Sequence, residues 1–274
     1  MAEPNKGGRY EQPARRPAVV SGASSGIGAA TALALGAAGF PVALGARRVD
    51  RCEEVAARIR DGGGEAVAHP LDVTDAASVS AFAKQVTAEL GPIEVLVCNA
   101  GRTSPGVVHE TDPERFAAEL DLAVLGAHRL VRAFVPGMVE RRRGDVVFVS
   151  SDVAVRVRPF MSAYAAGKWG LEGMAHSMQL ELEGTGVRAS IVRPGPTWSE
   201  IGDHWDADEG ARVIEAWVRF GLARHPHFLK PAALADAILA VVRAPRGVHL
   251  NLVEVSPEAP LDDVPSADAQ EDDR

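Results

Sequence analysis

Three residues of this chain have side chains and spacing suited to moving a proton: Ser151, Tyr164 and Lys168. Tyr164 and Lys168 are four residues apart, about one helical turn, so on a helix the phenol and the ammonium share one face. A free tyrosine has a pKa of about 10, and a cation beside it favours the phenolate and lowers that pKa. A serine at the end of a neighbouring strand can hydrogen-bond the oxygen that gains or loses the proton. This set could therefore move a proton on a carbonyl or an alcohol.

The segments that must position these residues alternate between strands and helices. Seven apolar runs are predicted as strands, at residues 17–20, 42–46, 65–71, 93–98, 145–150, 187–192 and 249–255. Helical patterns lie between them, and the longest, at residues 113–142, contains Pro136, which is expected to bend or divide it. The alternation predicts an α/β fold with one parallel, doubly wound sheet, in a single domain over residues 17–257.

A glycine-rich turn, S-G-A-S-S-G-I-G, joins the first predicted strand to the first helix. Glycine allows close approach to the backbone, and a helix N-terminus favours the negative charge of a pyrophosphate. The spacing of Gly22, Gly26 and Gly28 differs from the G-x-G-x-x-G fingerprint. The strand–turn–helix context predicts a phosphate-binding turn, although glycine turns also end many buried strands that bind nothing.

Two arginines follow the second predicted strand. Folds that bind NAD usually place an acid here for the ribose 2′-hydroxyl, whereas an arginine accommodates the 2′-phosphate of NADP. Ala46 stands where the acid would be, and Arg47 and Arg48 follow it. The pattern favours NADP(H) over NAD(H); the alternative is a pair of solvent-exposed arginines at a helix start. Asp72, after the third strand, could bind an adenine amino group.

Composition excludes several other classes of protein. Of the formal charge of −8, −6 falls between Glu258 and the C-terminus, so the rest carries only −2 and offers no nucleic-acid-binding surface. Residues 258–274 are expected to be an acidic disordered tail, and residues 1–16 a polar tail without a secretory signal. No apolar run approaches the ~20 residues of a membrane span. The two cysteines need no disulfide, which favours a cytoplasmic protein, and no metal site is expected.

The motifs taken in order support a family assignment. They are S-G-A-S-S-G-I-G, L-D-V, N-A-G, Ser151 thirteen residues before Tyr164, Y-x-x-x-K and Pro194-Gly195. Each is loose, but the ordered set, over roughly residues 17–257, resembles the short-chain dehydrogenase/reductase family. The resemblance implies a single Rossmann-type domain that reduces carbonyls or oxidises alcohols with NAD(P)(H). It also implies a homotetramer or homodimer, packed through helices at about residues 121–142 and 161–183.

The same resemblance implies roles for individual residues. Tyr164 is the general acid/base, Lys168 lowers the pKa of that tyrosine and binds the nicotinamide ribose, and Ser151 orients the substrate oxygen. Ser150 is the alternative serine. The residues expected to contact the cofactor, including the two arginines above, are Ser21, Gly22, Ser24, Ser25, Gly26, Ile27, Gly28, Arg47, Arg48, Asp72, Val73, Asn99, Ala100, Gly101, Tyr164, Lys168, Pro194, Gly195 and Thr197.

Three positions depart from the family pattern. Ser21 and Ser199 stand where threonine is usual, and both keep a hydroxyl. Ala123 stands where the family usually has an asparagine that completes a proton relay through water and lysine. Alanine cannot hold that water by its side chain, so a backbone carbonyl or a water is expected to substitute for the asparagine.

Residues 197–230 correspond to the family's substrate lid and are rich in aromatic side chains. Five of the chain's fourteen aromatic residues lie between Trp198 and Phe228. They could form a small core of their own, or they could line a pocket for a bulky apolar or aromatic substrate. The expected substrate-contacting residues are Val153, Phe160, Trp198 and Trp205.

The sequence as a whole predicts an NADP(H)-dependent oxidoreductase acting on a carbonyl or secondary alcohol of a small molecule. The alternative is an NADP(H)-binding regulatory or scaffold protein with lost or weak turnover. Ala123 is the feature that favours the alternative, while Ser151, Tyr164 and Lys168 argue for the enzyme.

Overall fold

Seven parallel strands form one sheet in the computed structural model, which describes residues 12–200, 205–223, 225 and 227–260. The strands run in the spatial order β3-β2-β1-β4-β5-β6-β7. Successive strands are therefore added on one side of β1 up to β3 and on its other side from β4 onwards, so the strand order reverses between β1 and β4. This confirms the predicted doubly wound α/β fold in a single domain. The strands are β1 (Ala18–Ser21), β2 (Val42–Ala46), β3 (Ala66–Pro70), β4 (Val95–Cys98), β5 (Gly144–Val149), β6 (Val187–Pro194) and β7 (Leu252–Val255).

Helices cover both faces of this sheet. Adjacent strand residues point to opposite faces, so Val19 packs in one core cluster and Val20 in the other. The first cluster includes side chains of α3, α5 and α6, and the second includes those of α1, α2 and α8. The helices are α1 (Gly26–Ala37), α2 (Val49–Asp61), α3 (Ala76–Leu90), α4 (Pro113–Leu120), α5 (Gly126–Glu140), α6 (Ser162–Glu181), α7 (Ala207–Arg219) and α8 (Pro231–Arg243).

The longest helical segment is interrupted by a π-helical turn, Asp121–Leu125, between α4 and α5. Pro136 lies inside α5, which continues to Glu140, so of the expected bend or division the division does not occur. The neighbouring side chains of Val135 and Met138 are buried, and their packing holds the last turn in place despite the missing N–H. Single π turns within helices often mark functional sites.

The segment Pro113–Glu140 is also long and apolar enough, by length and composition, to cross a membrane. In this fold it packs on the sheet and on α6. Arg129 of α5 donates to Asp121 at 2.9 Å and to the carbonyl of Val73 at 3.2 Å. These contacts fit a helix that packs within the folded domain.

The N-terminal boundary of the folded body lies before residue 17. The Arg16 side chain is only 5% exposed, ion-pairs with Asp145 and donates to the carbonyl of Val242 at 2.6 Å. Arg15 donates to the carbonyl of Leu90 at 2.6 Å. Arg15 and Arg16, which belong to the predicted tail over residues 1–16, therefore bond to the domain. Residues 1–11 and 261–274 lie outside the described part of the chain. They include most of the expected N-terminal tail, residues 1–16, and most of the expected acidic tail, residues 258–274.

Candidate active site

A cleft of about 1140 Å³ opens at the carboxyl edge of the sheet, where β1 and β4 lie side by side. Ligands of open α/β sheets bind at this edge, where the strand order reverses. The loops after β1, β2, β4, β5 and β6 all contribute to the lining. The structure therefore brings the glycine turn, the arginines and the Ser–Tyr–Lys set to one cavity.

The glycine turn after β1 is shaped by close backbone contacts. Gly22 and Gly26 have φ of +66° and +53°, a region that favours glycine. A Cβ on Gly28 would lie 2.2 Å from the carbonyl oxygen of Gly22, so α1 can start this close to the turn only with glycine there. The Nδ2 of Asn99 donates to the carbonyls of Ser21 and Gly22, at 3.0 and 3.2 Å. Asn99 thereby fixes the turn from the end of β4.

Ser21 lies beneath this turn. Its side chain is fully buried; it donates to the carbonyl of Val97 at 3.2 Å and accepts from the amides of Asn99 and Ala100, at 3.0 and 3.1 Å. Gly28 is buried as well, whereas Gly22, Ser24, Ser25, Gly26 and Ile27 line the cleft. Ser21 and Gly28 are both expected to contact the cofactor. In the structure they are buried beneath the turn and support its conformation, and they do not line the cleft.

Arg48, at the N-terminus of α2, faces the glycine turn. Its guanidinium donates to the hydroxyls of Ser24 and Ser25, at 3.1 and 3.0 Å. Glu200, after β6, pairs with Arg48 at 2.8 Å and with Arg51, one turn along α2, at 2.6 Å. Arg51 and Glu200 line the cleft but were not among the residues predicted from sequence.

Asp72 follows β3 at the far end of the cleft. Its carboxylate accepts from the amide and hydroxyl of Thr74, at 2.9 and 2.6 Å. The hydroxyl bond is the largest of the effects that lower the pKa of Asp72. An ionised carboxylate held in this way could accept a further hydrogen bond from a ligand amine.

Ser151, Tyr164 and Lys168 meet at the carboxyl end of β5. The hydroxyl of Ser151 interacts with the phenol of Tyr164 and lowers the pKa of that phenol, and it donates to Asp152 at 3.3 Å. Ser150 instead donates to Glu172 at 2.6 Å, so the structure brings Ser151 to the tyrosine. The Lys168 Nζ lies 5.6 Å from the centroid of the Tyr164 ring and donates to the carbonyl of Val149 at 2.7 Å. Both side chains extend from the same face of α6, as their spacing predicts.

The electrostatics of this set differ from the expectation of a lowered tyrosine pKa. Burial, opposed by the Ser151 hydroxyl, raises the pKa of Tyr164 to about 12. Burial also lowers the pKa of Lys168 to about 8. The phenol is therefore protonated at neutral pH and the lysine still mostly charged. In this state the Tyr164 phenol carries a proton that it could donate to a ligand in the cleft.

Glu119 is a buried acid that sequence reasoning missed. It lies in α4, one helical turn before Ala123, is 3% exposed, and has an Oε1 with no hydrogen-bond partner among the described residues. Burial raises the pKa of Glu119, while its charge raises the pKa of both Lys168 and Tyr164. Glu119 is four residues before Ala123, a spacing that places both on one helix face, and this spacing in the sequence could have identified Glu119 as a neighbour of the site.

A second missed group lies between the serine and the lid. Arg158 forms a two-bond ion pair with Asp152, and both side chains are less than one-tenth exposed. The guanidinium also lies 5.1 Å from the centroid of the Trp217 ring in α7. This pair connects the loop that carries Ser151 to the lid helix, and it places a paired cation in the cleft wall.

The lid contributes most of the aromatic wall of the cleft. Trp205 donates its Nε1 to the carbonyl of Thr103 at 2.9 Å, and Trp198 packs on Phe228 at a ring distance of 4.8 Å. The cleft-lining residues of this wall are Val153, Met161, Trp198, Trp205, Ile214, Trp217 and Phe228. Phe160, predicted to contact substrate, lines a separate pocket of about 140 Å³ instead. Its φ of +64° and the bond from the Gly106 amide to its carbonyl hold it there.

The remaining predicted contacts lie around the same cleft. Its lining includes Arg47, Val73, Ala100, Gly101, Pro194, Gly195 and Thr197. The hydroxyl of Thr197 donates to the carbonyl of Gly195 at 2.8 Å, which closes a tight turn after β6. Residues 201–204, 224 and 226 of the lid lie outside the described part.

Comparison with known proteins gives the same family as the motifs. The family model described as short chain dehydrogenase matches residues 16–210. The chain is 36% identical over 241 residues to glycine betaine reductase ATRR of Emericella nidulans, covering 88% of this chain but only 18% of that much longer protein. It is 31% identical over 239 residues to the 2,3-dihydro-2,3-dihydroxybenzoate dehydrogenase of Bacillus subtilis, covering 86% of this chain and 91% of the relative.

A solved structure with the same fold carries a bound dinucleotide. A metagenomic short-chain oxidoreductase in complex with NADP superposes with a TM-score of 0.75 at 31% identity. The match covers 89% of this chain and 98% of that one.

Proposed function

Because the chain belongs to the short-chain dehydrogenase/reductase family, we propose that it is an NADP(H)-dependent oxidoreductase acting on a bulky apolar or aromatic carbonyl or secondary alcohol. The observation that carries the proposal is the meeting of Ser151, Tyr164 and Lys168 in the cleft that the glycine turn borders. The residues present fit a dinucleotide, because the turn exposes backbone to the cleft and Arg48 stands beside it.

NADPH, when bound, supplies the hydride, and the side chains of this chain handle the substrate oxygen and its proton. Ser151 donates a hydrogen bond to that oxygen, and Tyr164 donates its phenolic proton to it. The phenolate left on Tyr164 is stabilised by the charge of Lys168. The apolar lid excludes water, which strengthens each of these electrostatic contacts.

Cofactor choice is proposed from the charge around the glycine turn. Arg48 and Arg51 offer two guanidinium groups, and guanidinium pairs with phosphate through charge-assisted hydrogen bonds. The complex of a relative with NADP supports the same choice.

Arg48→Ala is expected to weaken NADPH binding by about tenfold, because it removes a charged partner of the 2′-phosphate. NADH binding is expected to change by less than about twofold, since NADH lacks that phosphate. Fluorescence titration of both cofactors measures the two dissociation constants. A wild-type preference for NADH would refute the argument from the arginines.

The substrate class is proposed from the lid. Several tryptophan and phenylalanine side chains line the cleft beside Ser151, and aromatic walls favour apolar ligands. The paired Arg158 leaves that wall without a net positive charge, because Asp152 neutralises it. An anionic substrate therefore has less support than a neutral one.

Trp198→Ala is expected to raise KM for a bulky aryl ketone by about fivefold, because an aromatic contact of roughly 1 kcal/mol is lost. A small aliphatic ketone should be affected little. Phe220→Ala is a matched control, since Phe220 is also in the lid, is equally exposed at 63%, and does not line the cleft. Equal effects on both substrates would contradict a substrate-binding role for Trp198.

An apolar surface on α6 supports self-association. Trp169 and Leu180 are 56% and 72% exposed, and their spacing of eleven residues places them on one helix face. Leu125, in the π-helical turn that packs against α6, is 49% exposed. We propose a homodimer or homotetramer built on this surface. The buried, unpaired Cys52 and Cys98 support a reducing, cytoplasmic location.

The decisive assay measures NADPH oxidation against a panel of hydrophobic ketones, quinones and aldehydes. Turnover of any compound in the panel supports the proposal that the protein is an oxidoreductase. Tight NADPH binding without turnover across the panel would favour the nucleotide-binding regulatory protein, for which Ala123 is the supporting observation.

A further inference from the structure

Glu200 occupies the mouth of the cleft beside the glycine turn. Its two carboxylate oxygens bind different arginines of α2: Oε2 lies 2.8 Å from Arg48 and Oε1 lies 2.6 Å from Arg51. Ser25 also hydrogen-bonds this carboxylate. Partial burial acts to raise the pKa of Glu200, but the contacts with Arg48, Arg51 and Ser25 together lower it, so the carboxylate is ionised at neutral pH.

The groups around this carboxylate are those that would bind a phosphate monoester. Two guanidinium groups and the Ser24 and Ser25 hydroxyls converge on one point, next to the turn that borders the cleft. In folds of this type the segment after the second strand meets the ribose 2′ substituent. Arg48 belongs to that segment and Arg51 lies one turn further along α2. The Glu200 carboxylate therefore lies among the groups suited to a 2′-phosphate.

The contacts of Glu200 are of a kind that a stronger anion can replace. The side chains of Glu200, Arg48 and Arg51 are 39%, 48% and 48% exposed, and exposed ion pairs contribute little stability. A phosphate monoester carries more charge and three acceptor oxygens, so it makes more charge-assisted bonds with the same arginines.

We propose that Glu200 is an internal competitor for the 2′-phosphate site formed by Arg48, Arg51, Ser24 and Ser25, and that it sets the strength of NADP(H) binding. This inference rests on the proposed NADP(H)-dependent function. Binding of the phosphate displaces the carboxylate.

The competition can be tested without nicotinamide chemistry. Adenosine 2′,5′-bisphosphate and adenosine 5′-monophosphate are titrated calorimetrically into the wild-type protein and into Glu200→Gln. The variant removes the competing charge and is expected to bind the bisphosphate about fivefold more tightly, the size of an exposed ion-pair effect. The monophosphate should bind within about twofold of wild type.

Glu53→Gln is the matched control, because Glu53 also forms an exposed ion pair with an α2 arginine, Arg60, on another part of the helix. Glu53→Gln should change the dissociation constant of neither nucleotide. Unchanged or weaker bisphosphate binding by Glu200→Gln would overturn the competition. Equal binding of both nucleotides by the wild type and by Glu200→Gln would also overturn it, together with the NADP(H) preference. Because neither titration involves turnover, both results leave the oxidoreductase proposal to its own assay.

Discussion

Tyr164→Phe is expected to lower kcat/KM for carbonyl reduction by roughly 10²–10⁴-fold, the range for loss of a general acid. The change removes the hydroxyl that donates the proton and keeps the ring, so packing around α6 is preserved. Ser151 remains to bind the substrate oxygen, but a serine hydroxyl alone is a weaker proton donor to it. Steady-state kinetics with any substrate found in the panel measures the loss.

The chain provides its own control for this substitution. Tyr10, its other tyrosine, lies outside the described residues, and Tyr10→Phe is expected to retain full activity. NADPH titration of Tyr164→Phe shows whether the cofactor still binds. Retained activity in a folded Tyr164→Phe protein would remove the tyrosine from the proposed mechanism.

Lys168→Met is expected to lower kcat/KM by roughly 10²–10³-fold, because the phenolate on Tyr164 loses the charge that stabilises it. NADPH binding should weaken as well, since the lysine is expected to hold the nicotinamide ribose. Methionine has a similar length and fits the buried site, where Lys168 is 4% exposed. The loss of activity is therefore expected without unfolding.

The pH dependence of stability distinguishes this buried lysine from an ordinary one. The pKa of Lys168 is about 8 in the folded protein, compared with 10.5 for a free lysine. Between pH 8 and pH 10.5 the unfolded chain binds more protons at this residue, so stability rises with pH. Relative to Lys168→Met, the wild type should gain about 3 kcal/mol over that interval. Denaturant unfolding of both proteins at pH 7, 8.5 and 10 measures the difference, and a constant difference would show that the lysine pKa is not lowered.

The sheet and the Ser–Tyr–Lys set could be predicted from the sequence because each depends on local pattern. Buried parallel strands are continuous apolar runs, and the bounds predicted for β2, residues 42–46, agree with the structure to the residue. The spacing of Tyr164 and Lys168 places them on one face of any helix. The parallel topology then brings the strand ends together without further information.

The rest of the site depends on contacts between distant parts of the chain. Glu200 meets Arg51 across 149 residues, and nothing in either local pattern marks that pairing. The pKa of Tyr164 depends on the depth of its burial, which the Tyr–Lys spacing does not specify. The sequence predicts that Phe160 contacts substrate, but its backbone conformation directs it to the neighbouring pocket.

The most direct test of the proposed function follows the hydride itself. The protein is incubated with NADPH deuterated at the transferred C4 position and with each ketone of the panel, and products are examined by mass spectrometry. The expected result is an alcohol with one deuterium on its carbinol carbon, formed by wild type and reduced to trace amounts with Tyr164→Phe. An alcohol without deuterium, or no alcohol from any ketone by a protein that binds NADPH, would contradict hydride transfer as the function of this site.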